Sequence, residues 1–325
     1  MLKKGNGMTM HRSIRSVDRI EVLTLADNYV DLLLQSDARV QRPPLARNGS
    51  IPSDTLLAEH GLSLLITLEA NGSTHTLLMD AGYTRISVLH NLSILGLTLE
   101  AVEAVVLSHG HMDHTGGLYP LLATLPNRVP LVVHPDAFLE RRYLQLPDGR
   151  RLLFPQRIDR AELARRGVDL RETKEPSLLC DDHLLVTGEV ERVTAFENGL
   201  PGAMVERNGA VEPDPIRDDQ ALVMHLKDRG LVVIAGCSHA GIVNTILYAR
   251  TVTGMERIHA VLGGFHLTGP YFEQVIPPTI EALQSMDCAL IAPMHCTGWK
   301  AIGAFEKAFP EAFVLNSVGS RITIT

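Results

Sequence analysis

The chain has 325 residues, of which 45% are hydrophobic and 21% charged, proportions typical of a globular protein able to bury a sizeable core. Its formal net charge of −7 gives no support for non-specific binding to nucleic acid or to anionic membranes, so we expect neither as a partner. The four cysteines form no CxxC pair, which favours reduced thiols in a cytoplasmic protein over a disulfide scaffold. No run of 18 apolar residues occurs, so no membrane span is predicted.

The first part of the chain is predicted to hold a leader and then several strands. Residues 1–17 are basic but lack the apolar stretch of a signal peptide, and we expect a disordered leader before a single domain over 18–325. The patterns then predict strands at 20–25, 62–68, 74–80, 101–107 and 129–134, helices over 91–97 and 118–125, and a loop at 35–59.

The middle of the chain is predicted to be a loop or cap insertion over about 141–217. Eight arginines make 141–166 locally basic, which is typical of a solvated face, or of a rim that attracts an anionic substrate. A helical piece is expected near 161–166 and a hairpin at 183–187 and 190–194. Residues 197–217 are rich in glycine and proline, and are predicted to be a long irregular loop that forms part of a pocket wall.

The last part of the chain alternates strands and helices. Strands are predicted at 222–225, 231–235, 259–262, 289–292 and 313–316, helices over 242–251, 280–285 and 301–309, and an edge strand at 321–325. Two mixed β-rich halves with outer helices indicate an α/β (α+β) protein built as a four-layer αββα sandwich.

A dense group of metal-binding side chains follows the strand predicted at 101–107. The six residues 109–114 hold four such side chains: His109, His111, Asp113 and His114. Four ligands in one turn suit two adjacent metals, with the first two residues on one metal and the last two on the other. Imidazole and carboxylate together favour zinc, with iron or manganese as alternatives. The sequence therefore predicts a dinuclear metal site.

Three later histidines also follow apolar strands and lie beside glycine. They are His239, His266 and His295. Ligands bind outside the carboxyl ends of strands in open sheets, so these side chains are expected to converge on the same site.

The chain resembles the metallo-β-lactamase superfamily. Residues 109–114 match its HxHxDH signature, and residues 77–82 are similar to its strand ending in Asp-x-Gly. The segments 58–63, 236–244, 263–267 and 293–298 further resemble the subgroup of dihydropterin-(ribofuranosyl)aminobenzene-phosphate synthase-like proteins. The resemblance independently implies the αββα fold, and it implies that His295 completes the second metal with Asp113 and His114.

Two positions depart from the superfamily pattern. Cys237 stands where many relatives have a bridging Asp; either it coordinates as a thiolate, or His239 is the ligand and completes the first metal, which we favour. The usual His near 190–200 is absent. Glu197 either substitutes for it or contacts a metal ligand without binding the metal itself. Asp80 is expected to orient a ligand histidine, with a turn-forming role as the alternative.

These features predict a metal-dependent hydrolase acting on a small, anionic substrate, phosphorylated or pterin-like. Asp113 and His266 are the predicted catalytic residues, the latter for substrate contact or proton transfer. Thr297 and Gly298, at a turn before a helix, are predicted to bind the anionic group. The departures at positions 237 and 197 also allow a ligand-sensing protein with little turnover, or an iron-dependent redox enzyme.

Overall fold

The structure is a computed structural model that describes residues 11–126 and 129–325. Its strands, in chain order, are β1 (Ser16–Val17), β2 (Arg19–Ala26), β3 (Val40–Gln41), β4 (Ser63–Ala70), β5 (Ser73–Met79), β6 (Val102–Val106), β7 (Pro130–Val133), β8 (Arg142–Gln145), β9 (Arg151–Leu153), β10 (Asp169–Glu172), β11 (Ser177–Leu179), β12 (Leu184–Val186), β13 (Ala203–Arg207), β14 (Ala210–Pro213), β15 (Ala221–Leu226), β16 (Gly230–Ala235), β17 (Ile258–Gly264), β18 (Leu290–Met294) and β19 (Arg321–Ile324).

The helices lie between these strands. They are α1 (Ser87–Leu95), α2 (Met112–Thr115), α3 (Leu118–Leu122), α4 (Arg160–Arg165), α5 (Ile242–Thr253), α6 (Pro270–Glu273), α7 (Ile276–Gln284) and α8 (Trp299–Ala308). Short 3-10 turns occupy Pro135–Phe138 and His295–Thr297. In the described part of the chain, no helix is long and apolar enough to cross a bilayer.

The strands form two large mixed sheets and one small sheet. Sheet I has eight strands in the order β10-β7-β6-β5-β4-β2-β19-β3. Sheet II has seven, in the order β11-β12-β15-β16-β17-β18, with β1 paired to β15. The small sheet, with the order β14-β13-β8-β9, is antiparallel and comes from residues 142–213. The predicted pair of mixed sheets is thus confirmed, and the small sheet is an addition.

Three apolar clusters show how the layers pack. The central cluster joins side chains from both large sheets, such as Ile66 and Leu77 of sheet I with Leu222 and Ile234 of sheet II. A second cluster lies between sheet II and α5, α7 and α8, and a third between sheet I and α1, α3 and α4. Because each sheet buries both faces, its strands are apolar runs and the helices are outside. This is the predicted αββα sandwich.

The parallel strands bring distant parts of the chain to one end of the sandwich. In sheet I, β5 and β6 run parallel, and in sheet II so do β16, β17 and β18. Their carboxyl ends lead directly into the loops that carry the predicted metal ligands.

Several sequence predictions fail in detail. Residues 11–17 are not a disordered leader in full: Ser16–Val17 form β1, and the Arg12 N–H donates to the carbonyl of Val252. The other leader residues, 1–10, lie outside the described residues. The predicted strands at 190–194 and 313–316 do not form. Residues 197–217 are not irregular, because they contain the hairpin β13–β14. Strand β19 is not at an edge, since β3 pairs with it.

Candidate metal centre

The loop between β6 and α2 carries the first predicted ligands, and a buried carboxylate shapes it. Asp80, which follows β5, accepts hydrogen bonds from the backbone N–H and the hydroxyl of Ser108, both at 2.7 Å. Its Oδ2 lies 2.6 Å from Nδ1 of His114, which donates to it. Asp80 thus has the ligand-orienting contact predicted for it, and it leaves Nε2 of His114 free to face the site.

The first set of possible ligands consists of three buried histidines. His109, His111 and His239 present ligand atoms that all lie within 4.8 Å of one another. Burial and the neighbouring Arg142 lower the pKa of His111 to about 4, and burial together with nearby histidines holds the pKa of the other two well below the usual range. All three rings are therefore neutral at pH 7, the form that binds metal.

The second set mixes nitrogen, oxygen and sulfur. Asp113, His114, Cys237 and His295 again present atoms within 4.8 Å of one another. Nε2 of His114 lies 3.1 Å from Sγ of Cys237 and 3.2 Å from Nε2 of His295. Burial raises the pKa of Asp113, but the adjacent His114 and His295 outweigh it and hold that pKa far below its usual range, so the carboxylate is ionised.

Cys237 lies between the two sets. It belongs to the second set and also groups with His239 and His266 within the same 4.8 Å limit. The structure thus places His239 with His109 and His111, as favoured from the sequence, and it also brings the Cys237 thiol among possible ligands. The two alternatives do not exclude each other.

These residues fit a metal centre. Among the described residues, Nε2 of His109, Nε2 of His111 and both ring nitrogens of His239 are buried without a hydrogen-bond partner. Buried polar atoms normally have a partner, because an unsatisfied one costs roughly 1–3 kcal/mol. Two adjacent sets of such donors, with imidazole, carboxylate and thiol, suit zinc-like divalent ions.

Two consecutive aspartates, which the sequence reasoning missed, hold the loops that carry the first set. Asp218 accepts a hydrogen bond from the N–H of Gly110 at 2.8 Å, and Asp219 accepts one from Ala240 at 2.8 Å. Arg142, from β8 of the small sheet, donates to Asp218 at 2.8 Å and to Asp214 at 2.7 Å, and all three side chains are buried. The small sheet is thereby tied to the metal loop.

Further missed residues position His295. The buried Asp27, just after β2, accepts the N–H of His295 at 2.8 Å, and Asn28 Oδ1 lies 3.1 Å from the His295 Nδ1. Nearby, His60 Nε2 is 3.7 Å from Oδ2 of Asp113. The only signal for these residues was that His60 lies in the 58–63 segment that resembles the subgroup.

Glu197 does not support a ligand histidine. Its carboxylate accepts the N–H groups of Val243 at 2.8 Å and Asn244 at 2.7 Å, at the amino end of α5. Unpaired N–H groups at a helix start attract a carboxylate, which explains this correction.

The predicted anion site at 297–298 is only partly available. The Thr297 hydroxyl is buried, accepts the N–H of Phe265 at 2.9 Å and donates to the Met294 carbonyl at 2.7 Å. Its side chain therefore joins the ends of β17 and β18 and is not free for an anion. Gly298 borders a separate cavity beside His295 and Trp299.

A pocket opens beside the first set. It is lined by His239 and His266, by aromatic residues, and by the start of the 197–217 segment; its wall includes Phe196, Glu197, Asn198, Gly199, Tyr271 and Phe272. The His266 ring is 4.4 Å from that of His239, and its Nδ1 is buried and unpartnered in the described structure. The predicted catalytic histidine thus lines the pocket next to His239.

The four-layer sandwich and the histidine-rich loop at its strand ends define a metallo-β-lactamase-fold protein. The family model described as "Metallo-beta-lactamase superfamily" matches residues 58–250, more than half of the chain, and the chain belongs to this superfamily.

Individual relatives span nearly the whole chain. It is 27% identical over 316 residues to the 7,8-dihydropterin-6-methyl-4-(β-D-ribofuranosyl)-aminobenzene-5'-phosphate synthase of Methanocaldococcus jannaschii, covering 96% of this chain and 99% of the relative. An uncharacterised protein of that organism, MJ0448, is 31% identical over 271 residues, or 82% of this chain and 94% of the other. Among solved structures, Tm1679, described as a metal-dependent hydrolase of the beta-lactamase superfamily, has a TM-score of 0.68 and 25% identity, covering 94% and 98% of the two chains.

Proposed function

We propose that the protein is a metal-dependent hydrolase that acts on a small anionic substrate. The observation that carries the proposal is the pair of adjacent buried ligand sets, in which Cys237 of the second set also groups with His239 of the first. Two divalent ions, most simply Zn²⁺ with Fe or Mn as alternatives, would be held by His109, His111 and His239, and by Asp113, His114, Cys237 and His295. The four free cysteines support placing the protein in a reducing compartment such as the cytoplasm.

The protein's own residues have distinct tasks in this proposal. When bound, such ions supply Lewis acidity and lower the pKa of water, so that hydroxide is available near neutral pH. The Asp113 carboxylate, which is ionised, would bind the ion of the second set or accept a hydrogen bond there. His266 lines the pocket and exchanges a proton with the substrate there. The buried position of the site excludes bulk water, which strengthens each of these interactions.

The pocket supports a planar, phosphorylated or pterin-like substrate. Phe196, Tyr271 and Phe272 offer aromatic surface next to His266, and aromatic faces favour stacking with flat rings. In this proposal, residues 197–199 form part of the wall and limit substrate size.

Removing a ligand from the first set tests the hydrolase proposal. His109→Ala should reduce bound metal and abolish hydrolysis of phosphodiester, lactone and thioester test substrates. His225→Ala, on β15 and outside both sets, is the control and should keep metal and activity. Full metal content and full turnover in His109→Ala would contradict the assignment, whereas wild-type protein that binds metal but turns over none of these substrates would favour the sensor alternative.

A synthase is the second candidate function. It is favoured by the 27% identity to a dihydropterin-linked phosphate synthase over nearly the full chain, and by the aromatic pocket. Incubation with a dihydropterin that carries a leaving group such as diphosphate on its 6-methyl carbon, together with a ribofuranosyl-aminobenzene phosphate, followed by mass spectrometry, separates the two candidates. A coupled product would favour the synthase; hydrolysis of the phosphate substrate without coupling would favour the hydrolase.

A further inference from the structure

A second group of metal-binding side chains lies away from the candidate metal centre. His75 is near the start of β5, Glu103 is near the start of β6, and Cys180 follows β11. Their ligand atoms all lie within 4.8 Å of one another. Since the candidate metal centre lies beyond the carboxyl ends of β5 and β6, this group is toward the opposite end of the sandwich. It joins sheet I to sheet II.

We propose that His75, Glu103 and Cys180 bind a zinc-like divalent ion that links the two large sheets. One imidazole, one carboxylate and one thiol are a donor set that suits zinc. With metal–ligand bonds of about 2.0–2.3 Å, ligand atoms around one tetrahedral ion lie roughly 3.3–3.8 Å apart. The three atoms, which lie within 4.8 Å of one another, would approach to that range on binding the ion.

The surroundings of the thiol favour a cation. Burial, with Glu103 and Asp181 nearby, raises the pKa of Cys180 to about 12. In the described structure, His75 is the salt-bridge partner of both carboxylates, at 2.9 Å from Glu103 and 3.9 Å from Asp181. A divalent ion would offset the charges of the two carboxylates beside the single imidazole, and it would deprotonate the Cys180 thiol on binding it.

The turn between β11 and β12 holds the thiol in an unusual conformation. Cys180, Asp181 and Asp182 have φ angles of 54°, 51° and 67°, three consecutive left-handed residues with a Cβ atom. Arg15 fixes this turn, donating its N–H to the carbonyl of Asp182 at 2.9 Å and its guanidinium to that of Asp181 at 3.2 Å. The ligand position thus depends on the segment before β2.

A further imidazole lies next to the turn. The buried His183 has an Nδ1 atom without a hydrogen-bond partner among the described residues. Its ring centroid lies 5.8 Å from that of His75. In this proposal, a shift of the His183 ring toward the group would complete four protein ligands, the usual number in structural zinc sites.

Metal counting on the whole protein tests this site. Protein freed of metal and dialysed against Co²⁺ should hold one equivalent fewer in Cys180→Ser and in Glu103→Gln, with a weaker thiolate-to-cobalt absorption in the former. Cys288→Ser is the matched control: it is a buried free cysteine whose pKa burial also raises to about 12, and it belongs to no possible metal group in the described structure. It should retain the wild-type stoichiometry and spectrum.

Thermal unfolding separates the metal site from a simple ion pair. Glu103→Gln should lower the midpoint of the metal-loaded protein and leave that of the metal-free protein unchanged. Equal midpoint losses with and without metal, or wild-type stoichiometry in Cys180→Ser, would overturn the proposal. The result is independent of the proposed function, because these variants keep both ligand sets and should keep wild-type turnover.

Discussion

Asp80 shows how one buried carboxylate can organise a ligand loop. It is in the left-handed region, with φ of 62°, and both its oxygens are used by Ser108 and His114. The short Asp-x-Gly turn after β5 therefore has a structural role: it directs the Asp80 carboxylate toward the loop that follows the neighbouring strand β6. The superfamily resemblance indicated this residue, and the hydrogen bonds explain it.

Removing the charge of the Asp80 carboxylate should lower the affinity for metal. Asp80→Asn keeps the size of the side chain, but it removes the charge that orients and polarises His114, and such changes typically reduce metal affinity about 10–100-fold. Competition with a chelator measures the affinity. Asp228→Asn is a matched control, because Asp228 is also left-handed, with φ of 60°, but is exposed in a turn. Equal affinities in the two variants would show that Asp80 has no such role.

Cys237 and His239 should affect different metals. His239 lies with His109 and His111, whereas the Cys237 thiol lies 3.1 Å from His114 in the second set. We expect His239→Ala to lose most of one equivalent and Cys237→Ser to weaken the other, so that the double variant retains neither. Metal content by elemental analysis decides this. If Cys237→Ser binds both ions as wild type does, the thiol is a packing residue.

At the scale of elements, the patterns predicted most strands, and the errors have identifiable causes. Val190 to Thr194 alternates like a strand, but the side chain of Asn244 accepts the N–H groups of Val193 and Thr194, both at 2.8 Å, in place of a neighbouring strand. No local pattern could show that tertiary contact. By contrast, Asn208-Gly209, with φ angles of 51° and 78°, is the turn of the β13–β14 hairpin. Asn-Gly is a strong hairpin signal that the Gly/Pro content obscured.

The site was predictable where its residues follow strands in sequence. His109, His111, Asp113 and His114 stand in one motif, and the later histidines each end an apolar run. Arg142, Asp214 and Asp218 gave no such signal, because they meet only when β8 packs beside the loop after β6. Supporting contacts of this kind depend on tertiary structure, and single-sequence reasoning does not reach them.

Removing the contact of Arg142 with Asp214 and Asp218 should destabilise the fold. Arg142→Met leaves two buried carboxylates without their partner, which typically costs about 3–5 kcal/mol. Urea unfolding at neutral pH measures the loss. Arg141→Met is the control, since Arg141 is 67% exposed and its pair with Glu206 should contribute at most about 1 kcal/mol. Similar losses in both variants would contradict the assigned role of the buried network.

The same network predicts that the stability of the fold decreases at acidic pH. Burial raises the pKa of Asp218, but Arg142 outweighs it and holds that pKa below its usual range. A lowered carboxyl pKa stabilises the fold above the unfolded value of about 4 and loses that contribution as the pH falls further. The stability of Arg142→Met should therefore fall less steeply below that pH than that of the wild type.

At the scale of the whole molecule, the candidate ligands come from both large sheets. His109 follows a strand of sheet I, whereas His239 and His295 follow strands of sheet II. An ion bound to residues of both sheets would therefore bind only when the two sheets are packed together. A ligand that binds only the native state stabilises it by about 2.7 kcal/mol when present at 100 times its dissociation constant. Bound metal should thus act on global stability.

Chelation tests this coupling. Removing metal with a chelator should lower the thermal midpoint, and adding Zn²⁺ back should restore it. His109→Ala should start near the lower midpoint and respond less to either treatment. Calorimetry on the same samples gives both values. A midpoint that is insensitive to chelation in protein shown to have lost its metal would mean that the ions do not link the sheets.

The spacing of the ligands along the chain also has a consequence for biosynthesis. His109 and His111 leave the ribosome well before residue 295 is made, and at about 5–20 residues per second the interval lasts on the order of ten seconds or more. The first set gains its sheet II member only when His239 is made, and the second set only when His295 is made after β18. Both sets are therefore complete only late in synthesis, and the ion that fills them is the divalent ion most available at that time.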